Sequence, residues 1–172
     1  MNIVKPHIYP LTVQFEDIDA GGVVHHPTYL KYYERARSAA LSDFGFPFDE
    51  MLKAGVAVAV AEVYLSYKKP LRMYEQANVI SIVAGIKRSN IRFYQGIVLG
   101  SVDSKSLEEA TAGLEGLLGL VHLMEARLVC VDLKEMRPVS LPERLIKAFG
   151  LPPEAEWPES FREVRIKTDG YK

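Results

Sequence analysis

The sequence predicts an α+β fold in which one long helix packs against an antiparallel sheet. Three observations carry that expectation. One segment repeats its apolar residues with a helical period, the segments that follow alternate with period two, and 172 residues suffice for one hydrophobic core but not comfortably for two. Hydrophobic residues form 48% of the chain and charged residues 25%, close to a globular average, which excludes wholesale disorder. A single domain is expected over residues 1–150, with an extended or loosely docked tail over 151–172, where Pro152, Pro153 and Pro158 break any pattern.

Tyr9 to Phe15 alternates loosely and runs into Glu16-Asp17-Ile18-Asp19-Ala20-Gly21-Gly22, a strand entering a tight turn. From Pro27, the apolar residues Tyr29, Tyr33, Ala36, Ala40 and Phe44 recur at spacings of 4, 3, 4 and 4. Lys31, Glu34, Arg35, Arg37, Ser38 and Ser42 mostly fill the opposite face, which predicts an amphipathic helix of about 18 residues, roughly 27 Å long. Pro27 suits its first turn, where a missing N–H costs nothing, and Gly45 supplies a stop. Val56 to Lys68 alternates as a strand whose one apolar face begins Ala57, Ala59, Ala61. Such small side chains would let the helix approach closely, so this strand is expected beneath it. Gln76 to Lys87 and Asn90 to Gly100 read as strands joined by an Arg88-Ser89-Asn90 hairpin connection, and Leu123 to Val131 as a further strand. Ser106 and Glu109 have capping-box spacing ahead of a helical apolar period reaching Leu118, although Gly113, Gly116 and Gly119 each weaken a helix by about 1 kcal/mol relative to alanine. Ser140 with Glu143 repeats the capping-box pattern before a short helix ending at Phe149.

Several function classes are disfavoured at once. Lys plus Arg number 21 against 22 Asp plus Glu, so no global basic field is available to hold nucleic acid. The lone Cys130 excludes an internal disulfide framework or a thiolate metal cluster, and a reducing, cytoplasmic address is expected. No stretch approaches the length of a membrane span, and Met1 to Tyr9 holds no apolar segment of signal-peptide length. Gly-x-Ser-x-Gly, the P-loop and the dinucleotide-binding glycine pattern are all missing.

What remains is the turn from Glu16 to Tyr29, which places carboxylates, glycines and the pair His25-His26 just before the long helix. A helix N-terminus presents unpaired N–H groups and partial positive charge, suited to an oxygen that becomes negative in a transition state. A carboxylate and one such donor suit a thioester. Its leaving thiolate has a conjugate acid of pKa about 8.5 and departs without a strong general acid.

The run Phe15-Glu16-Asp17-Ile18-Asp19-Ala20-Gly21-Gly22-Val23-Val24-His25-His26-Pro27-Thr28-Tyr29, continued by Tyr33-Glu34-Arg35-Ala36-Arg37, resembles the signature of hotdog-fold acyl-CoA thioesterases of the 4-hydroxybenzoyl-CoA thioesterase and YbgC type. The resemblance implies a long central α-helix wrapped by a curved antiparallel β-sheet, and a homodimer, or a homotetramer built from it, with active sites at the subunit interface. It also implies an acyl-CoA substrate, or acyl carried on acyl carrier protein, and no cofactor. The signature's second aspartate is the catalytic one and falls on Asp19; the oxyanion contact, a backbone N–H at the helix start, falls on His26. Gly22 and His25 are expected to meet the substrate beside them. The family usually carries an aromatic residue where His25 or His26 stands, and residues 101–120 look like an insertion relative to its compact members.

Each assignment has a plainer counterpart. Asp19 could serve only as a turn residue bonding nearby N–H groups, while Asp17 is expected to be structural. Adjacent histidines without a spaced third ligand favour packing or substrate contact over metal. Glu34 is the alternative base, although an ion pair with Arg37 or Lys31 on the helix surface is favoured. Lys87, Arg88 and Ser89 either hold the coenzyme A phosphates or form a solvated hairpin. Tyr29, Tyr32 and Tyr33 are expected in the core or an interface. A non-catalytic protein that binds acyl thioesters is the reading that competes with the enzyme.

Overall fold

The computed structural model describes residues 6–103, Glu108 and residues 113–149. β1 (His7–Thr12) leads through a 3-10 turn (Phe15–Asp17) to α1 (Thr28–Asp43) and α2 (Phe48–Lys53). Then come β2 (Val56–Tyr67), β3 (Gln76–Lys87), β4 (Asn90–Leu99), a 3-10 turn (Leu114–Gly116), β5 (Leu120–Asp132) and α3 (Glu143–Phe149). The strands form one antiparallel sheet in the order β1-β3-β4-β5-β2, with α1 packed on β1 and β3, the expected hotdog arrangement. Among the described residues no helix is long and apolar enough to cross a membrane.

The helical period of α1 translates directly into packing. Tyr29, Tyr33, Ala36 and Ala40 are buried, joined by Tyr32, and they meet Val79, Phe93, Ile97, Met124 and Ala126 in the main core. Gly45 ends the helix in the left-handed region at φ 79°, and its N–H donates to the Ser42 carbonyl. Arg37 departs from the expected polar face. It is buried, its Nη1 donates to Gln95 Oε1 at 2.9 Å, and Gln95 Nε2 in turn donates to Ser81 Oγ at 2.7 Å and to the Tyr33 carbonyl at 3.2 Å. Burial lowers the guanidinium pKa to about 10, so it stays charged at neutral pH. A polar strut therefore joins helix to sheet.

The expected placement of Ala57, Ala59 and Ala61 beneath the helix is not what forms. The pairing of β2 with β5 shifts register between Val60 and Glu62, so Ala61 is an extra residue and the alternation changes phase there. Before the bulge Val56 and Val58 touch the core; after it Leu65 does, while Ala59 and Ala61 are exposed. A one-residue bulge is invisible to a pattern that assumes strict alternation. β2 is also a sheet edge, whereas α1 lies mainly over β1 and β3.

The opposite face of the sheet has a core of its own. Ile80, Ile82, Val98, Leu120 and Leu123 are closed over by Leu114 and Leu117, with Val102 packed against them, so these residues cover this face. Gly96 leaves room for the cover, since a Cβ there would meet Leu120 at 3.2 Å and Leu114 at 3.7 Å. The expected helix reaching Leu118 does not extend through its described part. Gly113 has φ 155°, Leu114–Gly116 is a single 3-10 turn, and Leu117 is extended. Ser106 and Glu109, its proposed cap, lie outside the described residues, as does the 151–172 tail. At α3 the cap differs too: the Pro142 carbonyl accepts from Leu145 and Ile146, so Pro142 rather than Ser140 opens the helix.

Burial of Leu114 against the outer face makes a stability prediction. Leu114→Ala should lower the urea-unfolding free energy by about 2–5 kcal/mol. Leu118, 92% exposed, should tolerate alanine with no measurable change, and equal losses at both positions would contradict this cover.

Candidate active site

The turn between β1 and α1 is built almost entirely from backbone hydrogen bonds. Asp17 is its anchor: its carboxylate accepts from Gln14 N–H at 2.8 Å, and its carbonyl accepts from His25 N–H at 2.8 Å. This is the structural role expected of it. Ile18 bridges Val24, the Asp19 N–H donates to the Val23 carbonyl at 2.9 Å, and Gly22 N–H donates back to the Asp19 carbonyl at 3.0 Å. Gly22 takes φ 74° to complete the reversal, and this conformational need is the role the structure gives it.

The Asp19 side chain projects from this loop into solvent, with Oδ1 accepting from Gly21 N–H at 2.7 Å. A Cβ at position 21 would stand 3.1 Å from that same oxygen, a tight contact to which the carboxylate would have to give by a few tenths of an ångström. Oδ2 takes part in no protein hydrogen bond among the described residues. Asp19 is thus a turn residue in one oxygen and an available base or nucleophile in the other. The His26 N–H likewise has no partner among the described residues, because the local bonds run from His25 N–H to Asp17, from Thr28 N–H to His25 and from Leu30 N–H to Pro27. Asp19 and His26 both line a cavity of about 330 Å³, whose wall adds Val23, Val24, Tyr29, Tyr67 at the end of β2, and Lys68 to Pro70 after it. His25 stays outside that wall, its exposed ring edge-on to His26 at 4.9 Å between centroids.

Under the cavity lies a feature the sequence reading missed. Val121 is an extra residue in β5, since Ile97 pairs with His122 but Val98 pairs with Leu120. His122 keeps the phase of Met124, Ala126, Leu128 and Cys130 and so faces α1, where its ring stacks on Tyr29 at 4.7 Å and meets Tyr67 edge-on at 4.3 Å, while the bulge brings Val121 into the same core. Tyr33 O and His122 Nδ1 are hydrogen-bonded at 2.7 Å, while Nε2 is buried with no partner. Burial holds the imidazole neutral, its pKa lowered to about 4, and pushes the Tyr29, Tyr33 and Tyr67 phenols up. The bulge carbonyl of Val121 accepts from both Lys68 and Lys69 N–H at 3.0 Å, which puts two lysines at the cavity rim. A lone histidine two residues before Met124, in phase with Ala126, Leu128 and Cys130, was the available signal.

Other expected site residues are not brought together within one chain. Glu34 borders a separate surface groove of about 590 Å³ with Lys31 and Arg35, so it does not share the Asp19 cavity. A groove of about 580 Å³ between β1 and β3 holds no such carboxylate and donor pair. Lys87, Arg88 and Ser89 stand at the far end of the sheet, where Ser89 accepts from Cys130 N–H and Arg88 from Leu141 N–H. Eight residues of β5 separate Cys130 from His122, a span of roughly 27 Å. Tyr29, expected only in the core, is both core and cavity wall.

Comparison with known proteins places this arrangement in context. The family model described as Thioesterase-like superfamily matches residues 13–149. The acyl-CoA thioester hydrolase YbgC of Escherichia coli O6:H1 is 30% identical over 141 residues, covering 82% of this chain and 93% of its own. The acyl-CoA thioesterase YbgC of Haemophilus influenzae is 30% identical over 142 residues, with 82% and 92% coverage. A hypothetical protein of Aquifex aeolicus, solved by crystallography, superposes with TM-score 0.69 at 26% identity, covering 83% of this chain and 98% of that one.

The buried imidazole makes the acid limb of stability predictable. An unfolded histidine takes up its proton near pH 6.5 and His122 only near pH 4, so the unfolded state binds the extra proton in between. Stability that His122 contributes above pH 6.5 should be lost as the pH falls toward 4, on the order of 3 kcal/mol in all. Its ring should remain unprotonated at pH 5 by NMR titration, and His122→Phe should flatten the stability slope over that range. A His122 ring already protonated at pH 6 would contradict the burial argument.

Proposed function

Since the chain belongs to the thioesterase-like superfamily, we propose that it hydrolyses acyl-CoA thioesters, with Asp19 as the reacting carboxylate and the His26 N–H as oxyanion donor. The observation that carries this reading is one cavity lined by both Asp19 and His26, the first with an unbonded Oδ2 and the second with an unpartnered N–H among the described residues. Acting as a base, Asp19 takes a proton from water while the water oxygen bonds to the thioester carbon. Acting as a nucleophile, it bonds to that carbon itself and water later releases the acid. In either course the C–S bond breaks, the thiolate leaves with the electron pair, and the transient oxyanion is met by the His26 N–H. The coenzyme A thiolate is a good enough leaving group that no further acid is required. Acyl carrier protein presents the same thioester and belongs in the same substrate class.

The assembly that fits this reading is a homodimer joined along β2. Ala59 to Val63 line an exposed sheet edge, with Val60 53% and Val63 44% accessible, a surface that proteins usually pair or cover. Antiparallel pairing of two β2 strands would bring the far end of the partner's sheet toward Tyr67. Lys87, Arg88 and Ser89 would then contact the coenzyme A phosphates across the interface rather than within one chain. The apolar cover over the outer sheet face favours a dimer over a tetramer built on that face.

Two measurements test these statements. Asp19→Asn should abolish most thiol release from a panel of short, long and aromatic acyl-CoAs and from acyl carrier protein thioesters, with binding retained. His26→Ala should be milder, because alanine keeps the backbone N–H. Full activity in Asp19→Asn, or binding without hydrolysis in the unaltered protein, would overturn the catalytic reading. In sedimentation at micromolar concentration the protein should run at twice its 19.3 kDa chain mass, and a purely monomeric species would overturn the dimer.

A further inference from the structure

We infer that Tyr67 is a positioning residue, its phenol holding the His26 carbonyl at 3.0 Å so that the neighbouring His26 N–H stays free for the oxyanion. The inference rests on the thioesterase reading above. His26 sits at the least supported point of the turn. The peptide that carries the His26 N–H is held at its His25 carbonyl by the Thr28 N–H, and the next peptide, His26–Pro27, has no N–H to contribute, so the Tyr67 bond restrains that second plane and with it the backbone angles of His26. It spans 41 positions in sequence and joins the end of β2 to the start of α1.

The phenol itself has little freedom. Its ring lies edge-on to His122 at 4.3 Å and to Tyr29 at 5.5 Å, and those rings are fixed in turn by the Tyr33 bond to His122 and the Leu71 N–H bond to the Tyr29 oxygen. Lys68 and Lys69 clamp the next backbone step to the β5 bulge. Burial keeps the Tyr67 O–H protonated, so it remains a donor across the neutral range. Rigid support on one side and a single hydrogen bond on the other describe a part that sets the peptide adjoining the donor N–H rather than one that fills space.

Tyr67→Phe removes the O–H and keeps the ring, which separates positioning from packing. In the full-length protein it should lower kcat for the best acyl-CoA about fivefold, the worth of one ordinary hydrogen bond, with KM within about twofold and Tm nearly unchanged. Amide exchange of Thr28, whose N–H donates to the adjacent His25 carbonyl, should quicken at the same time. Tyr67→Leu, which also removes the ring, should add a loss of Tm. An unchanged kcat in Tyr67→Phe overturns the inference even if exchange changes. Should the unaltered protein hydrolyse no thioester, the exchange measurement still decides: quickened exchange keeps Tyr67 as the support of this turn while the functional reading fails, and unchanged exchange defeats both.

Discussion

The hydrogen bond of 2.7 Å between Tyr33 on α1 and His122 on β5 sets the helix on the sheet, and the remaining geometry follows from where the helix sits. It is buried among Tyr29, Tyr33 and Tyr67, so water cannot compete for it and the polar atoms have few alternatives. Arg37 makes a second polar tie, through Gln95 to Ser81 on β3. Between them these bonds fix the helix axis along its length, a specificity that apolar contacts alone would leave looser. The N-terminus of α1 is thereby held against the end of β2, where the cavity forms.

The site uses very little chemistry beyond that placement. Asp19 is exposed, and the Gly21 N–H seats one oxygen while the other remains available. Thioester cleavage tolerates this economy because the leaving group needs no proton at the moment of bond breaking. The demand falls instead on geometry, the carboxylate and the His26 N–H having to face one carbon from opposite sides. Backbone bonds among Asp17, Asp19, Val23 and His25 hold the turn that carries both residues.

Covering both faces of the sheet divides the surface into closed and open parts. α1 occupies one face, and Leu114 and Leu117 close the other over Ile80, Ile82 and Val98. What stays open is the β2 edge, where the bulge at Ala61 leaves Ala59 and Ala61 unburied. Edge strands that are long and carry exposed valines are pairing surfaces unless something blocks them.

Much of this was legible in the chain itself, because it depends on local period and local turn chemistry. The spacing from Tyr29 to Phe44 dictated a helix, Gln76 to Lys87 and Asn90 to Leu99 dictated a hairpin, and Asp17 and Asp19 before Gly21-Gly22 dictated the turn that carries the candidate site, since each signal is written within a few consecutive residues. The burial of Arg37, the phase change at Ala61, the bond of His122 to Tyr33 and the arrival of Tyr67 at His26 were decided only by the tertiary structure. Each depends on a partner dozens of residues away or on one extra residue in a ladder, and side-chain facing reverses with a single such insertion.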